Sequence, residues 1–318
     1  MLVIVLAALA VVPFFLTSYW VYLTNLFLIN AIVAVGLNIL TGNAGQISLC
    51  QSSFMAIGAY TTAVLSARYG LPYWLTLPAA MAVAGGTGAL LGYPARRLSD
   101  IYLALATFGF LEIFQVVIEE FSDLTGGVRG ISIGRPSLFG VTLKSDLSLY
   151  CLVLAAAVIM IWVASNLMRS RFGRAFNAVR QSPYAAQALG ISIGRVKLIT
   201  FALSAVFAAV GGSLMAVVVG FIDPLEFNVI ASLRQITFIV VGGLGSIAGS
   251  VIGALVLTAL PELLRGVKEY VGIIYAIILL GFLLFMPGGL ITIWAIIRDR
   301  IWRKPVKIEG ANRAASLD

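Results

Sequence analysis

The sequence predicts an all-α polytopic membrane protein, and three observations predict it. Hydrophobic residues make up 61% of the 318 and charged residues only 11%, against roughly 25% charged in a soluble domain. The apolar residues gather into runs of the length that crosses a bilayer, about 20 residues for about 30 Å of hydrocarbon. The basic residues cluster between particular runs instead of spreading evenly. Inside a bilayer a segment must satisfy its own backbone groups, so these runs are helices.

Taken in order, about ten transmembrane or partly spanning segments are expected: 2–19, 25–41, 49–67, 73–95, 99–120, 147–168, 197–220, 229–243, 246–264 and 271–295. They form one permease-like domain over 1–297, followed by a basic tail at 298–318. No Lys or Arg precedes Arg68. The start therefore lacks the basic region of a secretory signal and reads as a first span.

Charge orients the chain. Residues 169–197 contain Arg169, Arg171, Arg174, Arg180, Arg195 and Lys197 and no acid, which marks a cytoplasmic loop. Counting outward puts Arg96, Arg97 and the tail on the same side, with both termini cytoplasmic. That side then holds fourteen basic residues against four acids, and the other side seven against eight. The net charge of +8 is thus a topology signal, and a nucleic-acid partner is excluded.

Catalysis finds little support. There is no histidine, which removes His-based metal sites, triads and proton relays. Cys50 and Cys151 stand far apart in apolar surroundings, have no metal spacing and read as buried structural thiols. No cofactor motif and no Gly-x4-Gly-Lys-Ser/Thr phosphate loop occurs.

Two glycine-rich breaks interrupt the apolar pattern near the centre of the chain's helices. One is Gly42-Asn43-Ala44-Gly45-Gln46, and the other is Gly242-Gly243-Leu244-Gly245-Ser246. The segment 229–243 is also short, rising only about 22 Å. Irregular backbone at membrane depth is tolerated only against protein or a water-filled cavity, so paired breaks point to a translocation path. Gly42, Gly45 and Ile47 recur as Gly242, Gly245 and Ile247, which is compatible with an internal repeat or with chance. Beside the first break runs the polar string Gln46, Ser48, Gln51, Ser52 and Ser53. These groups either line the path or bond helices together. Glu112 is the one acid deep inside a span; it lines or gates the path, or holds spans together. Arg129, in an outer Gly-rich loop, either docks a partner or is solvated.

Within the basic loop, Ser182 and Pro183 suit a helix start and Gly190 a helix stop. Between them Ala185, Ala186 and Ala188 leave room for a partner's surface, with Leu189 at the end. Such a capped helix, too short to span, either inserts into a partner's groove or is an ordinary positive-inside loop.

Residues Ala185–Ile191, preceded by Arg171-Phe172-Gly173-Arg174-Ala175-Phe176, resemble the coupling segment of ATP-binding-cassette importer permeases. Four further stretches extend the likeness over most of the chain: Gly36–Gly42 with Gly45–Ser48, Leu124–Gly130, Val241–Ser246 with Pro261–Leu264, and Pro287–Leu290. Together they resemble the M-type permease subunit of the branched-chain amino acid importers. Many members of that family have Glu-Gly where this chain has Gly288-Gly289. The resemblance implies a heterodimer with a related permease, two cytoplasmic ATP-binding subunits, a periplasmic substrate-binding protein and an inner-membrane location. It also implies that partners hydrolyse the ATP and that this chain is no enzyme. The alternatives are an ion-coupled secondary carrier, which calls for several intramembrane acids where Glu112 stands alone, and the same family with urea, amide or other small organic substrates.

Overall fold

The computed structural model describes residues 17–96, 98, 100–138, 141, 142, 145–263, 271–285 and 288–291. Most of the expected first segment, the tail at 298–318, and Arg97, Lys144, Arg265, Lys268 and Pro287 lie outside them.

Helix α1, Ser18–Leu37, runs without a break into a single wide π-turn, Asn38–Asn43. The gap expected before residue 25 is helical. No Gly or Pro occurs from Ser18 to Val35, so nothing interrupts the hydrogen-bond ladder. Helices α2, Gln51–Tyr69, α3, Tyr73–Ala95, α4, Asp100–Glu120, and α5, Asp146–Arg169, follow. Next come two short helices, α6, Arg171–Gln181, and α7, Pro183–Ala188. The series ends with α8, Ile193–Val219, α9, Val229–Gly242, α10, Ile247–Leu263, and α11, Val271–Phe285. Among the described residues, five helices are long and apolar enough to cross a membrane: α1 with its π-turn, α3, α4, α5 and α8. Helix α2 is long enough, but Gln51, Ser52, Ser53 and Thr62 make it more polar, and all four are buried in protein.

Helix α8 is the axis of the bundle and packs on α1, α2 and α3. Lipid tails are as apolar as Leu, so close backbone approach and polar pairs do the joining. Gly58 of α2 lies against the backbone of Ala209, and Gly212 of α8 against the carbonyl of Met55; a Cβ at either would collide. Beside these crossings, Thr62 Oγ1 donates to Ser213 Oγ at 2.7 Å, and Ser213 Oγ to Tyr73 OH at 3.2 Å.

Outside the helices are two small antiparallel ladders, β1 (Ile131–Ser132) with β4 (Phe221–Ile222) and β2 (Ser137–Leu138) with β3 (Val141–Thr142). Two-residue strands are too short to leave an alternating pattern in sequence. The thiols divide: Cys50 is buried, but Cys151 is exposed on α5. An apolar neighbourhood in sequence does not say which face of a membrane helix packs inward.

Candidate functional site

The two glycine breaks lie against each other. Asn38 fastens them from within the π-turn: its Nδ2 donates to Ser246 O at 2.9 Å and Ser250 Oγ at 2.7 Å, and its Oδ1 accepts from Gly245 N at 2.8 Å. Asn43 Nδ2 reaches Gly245 O at 3.3 Å. A Cβ at Gly42 would come within 2.5 Å of Gly245 N, so only glycine permits this contact. Gly243 and Gly245 turn the second break with φ of 125° and 83°, a backbone that favours glycine.

The basic helix α6 touches the same spot. Arg180 Nη1 donates to Gly42 O, and the Arg180 stem packs beside Gly45. Asn177 Oδ1 accepts from Asn43 Nδ2 at 3.4 Å. Arg171, Arg174 and Arg180 are all exposed on α6, and Arg180 also engages the break.

From the break the polar string rises into the bundle, and each member but one has a bond across or beside it. Gln46 Nε2 donates to Thr200 Oγ1 at 2.7 Å, and Gln51 Oε1 accepts from Ser204 Oγ at 2.9 Å, tying the string to α8. Ser48 Oγ lies 3.3 Å from Cys50 Sγ. Ser52 ties it to α9: its N donates to Ser232 Oγ at 3.1 Å, and its Oγ to Asn228 O at 3.1 Å. Ser53 Oγ is buried without a partner among the described residues. The start of α2 therefore meets the start of α9, two positive helix ends side by side. Helix α9 starts here because Asn228 Oδ1 caps it, accepting from Ala231 N at 3.0 Å.

A cavity of about 70 Å³ opens at this junction, lined among others by Ser52, Met55, Glu226, Arg234, Gln235 and Phe238. Glu226 sits in the connecting turn Pro224–Phe227. Burial, then the neighbouring Asp223, pushes its carboxyl above the usual range, while Arg234 draws it back. Glu112 lies elsewhere. It is exposed on α4, whose inward stripe is Leu103, Thr107, Leu111 and Ile118.

The family model described as "Branched-chain amino acid transport system / permease component" matches residues 19–298. The chain belongs to this family. Among its relatives, the high-affinity branched-chain amino acid transport system permease protein LivM of Escherichia coli K12 is 35% identical, over 88% of this chain and 71% of its own length. The corresponding protein LivH of Salmonella typhimurium is 28% identical over 82% of this chain and 90% of its own. The autoinducer 2 import system permease protein LsrC of Yersinia pseudotuberculosis is 29% identical over 59% of this chain and 54% of its own. No solved structure matches the chain.

As a branched-chain transport permease, the chain is a transport subunit and not an enzyme. In this permease the short helix α7 has the caps its sequence suggests. Ser182 Oγ accepts from Ala185 N at 3.3 Å, Pro183 holds the first position, and Gly190 turns with φ of 80°. Ala185, Ala188, Leu189 and Gly190 are exposed, but Ala186 is buried against the bundle. Tyr184, not singled out from the sequence, is 87% exposed and Leu189 79%. Asn38, Asn177, Glu226 and Arg234 were also missed. Arg234 alone left a signal, a charge inside an apolar segment too short to span.

Proposed function

We propose that this permease is the membrane half of an ATP-driven importer of branched-chain or related small amino acids. It works in the cell inner membrane beside a second, homologous permease, with two cytoplasmic ATP-binding subunits and a periplasmic binding protein. Its termini and α6–α7 face the cytoplasm, since the basic residues gather there. The observation that carries this reading is the bond from Arg180 to Gly42 O. It joins the loop available to an ATPase directly to the paired breaks. A push on α6 and α7 is thereby delivered to the irregular backbone that bounds the path. Tyr184 and Leu189, large apolar side chains held out into water, suit an apolar groove on the ATPase. The relationship to LsrC supports keeping other small organic substrates within the reading.

The test is a pull-down of the ATP-binding subunits together with reconstituted, ATP-driven leucine uptake. Leu189→Glu and Tyr184→Glu, both on the exposed face, are expected to lose both while the permease elutes as a folded protein. Wild-type pull-down and uptake in both variants rejects α7 as the docking helix. Ala186→Glu is unsuitable, because it would disturb the loop's own packing.

A further inference from the structure

The junction of α2 and α9 has features that gluing helices together does not require. Arg234 and Glu226 bring opposite charges to one small cavity. Both are exposed at its mouth, while Ser52 and Gln235, buried to 0% and 5% exposure, form its floor. Gln235 Nε2 finds only the weak acceptor Met55 Sδ, at 3.5 Å, and its Oε1 has no partner among the described residues. An idle buried acceptor in a cavity wants a donor. Two helix N-termini add positive potential at the same place. Discontinuous helices that turn such ends toward a membrane cavity are suited to an anionic substrate group.

We propose that this cavity is a headgroup site for a zwitterionic α-amino acid in transit. The substrate carboxylate lies toward Arg234 and the helix ends. Its ammonium lies between Glu226 and Gln235 Oε1. The charges of an α-amino acid are separated by one carbon, so a compact cavity with both signs at its rim fits that class better than a singly charged solute. A volume of about 70 Å³ is far below the roughly 300–1,000 Å³ of sites that engulf a drug-sized ligand. It takes the headgroup and leaves the side chain outside, beyond the rim where Glu226 and Arg234 are exposed. The headgroup is thus read by this chain, and the choice among side chains is made outside the cavity. The proposal rests on the amino-acid importer reading and adds to it the place and the chemistry of recognition.

Ala231 lines the cavity and offers a probe. Ala231→Cys is made in a Cys151→Ser background, with Cys50 buried, in the assembled transporter. Labelling by a small neutral thiol reagent is followed with leucine, with 4-methyl-2-oxopentanoate, which lacks the ammonium, and with isopentylamine, which lacks the carboxylate. Leucine is expected to slow labelling several-fold while the two singly charged analogues do not. Arg234→Ala and Glu226→Gln should abolish the protection. In transporters with the native Ala231, the same two exchanges should lower leucine uptake about tenfold or more, as the loss of one charge-assisted contact implies. Arg234→Lys should fall between. Labelling that ignores leucine, protection by either analogue, or wild-type uptake in both exchanges overturns the site. If labelling ignores leucine while ATP-driven leucine uptake persists, the site falls and the importer reading stands. Equal protection by glycine supports the headgroup site and weakens only the branched-chain assignment.

Discussion

Helices α8 and α4 are both apolar enough to span a membrane, yet 67% of the most apolar stretch of α8 is buried in protein and only 22% of that of α4. They differ in how they use small and polar residues. On α8, Ala205, Ala208, Ala209, Gly211, Gly212 and Ser213 are buried, Thr200 pairs with Gln46 in the first break, and Ser204 and Ser213 pair with groups on α2. On α4 a single stripe is buried, with Phe110 and Phe114 packed beside it, and most of the other side chains, Glu112 included, are exposed. Apolarity places a helix in the bilayer. Close approach and polar pairing decide which helix becomes the axis, because burial among lipid or protein is nearly equivalent for an apolar side chain.

Glycine substitutions break that comparison with the largest effect. Gly→Ala in a helix gains about 1 kcal/mol of propensity where there is room. Gly109 on α4 has nothing within 4 Å of an added Cβ, so Gly109→Ala is expected to raise the melting temperature slightly. At Gly212 the same Cβ runs into the Met55 carbonyl. Gly212→Ala should therefore destabilise by about 3 kcal/mol, the upper range for overpacked cores. Thermal unfolding in detergent, followed by size exclusion, reads both signs. Equal shifts at the two positions would remove the distinction between axis and periphery.

Arg180 sharpens the comparison at the end of the bundle where the axis meets the loop. A hydrogen bond to a charged group contributes about 1.5–3 kcal/mol, so Arg180→Ala is expected to cut uptake about tenfold or more. Co-purification with the ATP-binding subunits should persist, because the Arg180 guanidinium is bound to Gly42 O within this chain. Arg180→Lys keeps one donor and should be intermediate. Loss of co-purification with unchanged uptake per assembled complex would return Arg180 to the docking surface with Arg171 and Arg174.

What the sequence discloses follows from the range of the interactions involved. The caps Ser182 and Pro183 and the stop at Gly190 were legible because their partners lie within a few residues. The glycines of both breaks were legible as irregular backbone. That Gly42 rests on Gly245 was not, since the contact joins residues about two hundred apart through Asn38, an unremarkable residue in an apolar run. Ala186 and Cys151 were placed on the wrong face for a related reason. Periodicity in a uniformly apolar or Ala-rich stretch does not single out an inward side. Glu226 and Arg234 matter only together, and nothing local joins them.

Glu112 gives the smallest expected effect on stability and the sharpest contrast in kind. It sits one residue after the fully buried Leu111, about 100° further round α4, beside Ile113 and Val116, which are 65% and 62% exposed. A carboxylate at the centre of a span costs about 2.5–3.5 kcal/mol on insertion scales. Such a residue persists on an outward face when a partner surface or the path covers it, and the second permease is the covering surface this reading provides. In the isolated chain, Glu112→Gln should then change stability by less than about 0.5 kcal/mol, as outward positions do. Ser213→Ala, which breaks an interior pair, should cost about 0.6–1.7 kcal/mol. Glu112→Lys should lower the yield of inserted protein, because Lys at the helix centre costs about 2.5–3.5 kcal/mol on insertion scales and its longer side chain does not fit a surface shaped for Glu. In the assembled transporter Glu112→Gln should weaken uptake or co-purification of the second permease. If Glu112→Gln destabilises the isolated chain as much as Ser213→Ala does, Glu112 has a partner within its own bundle and α4 is no outward helix. If stability, assembly and uptake all match wild type, the covering surface does not exist.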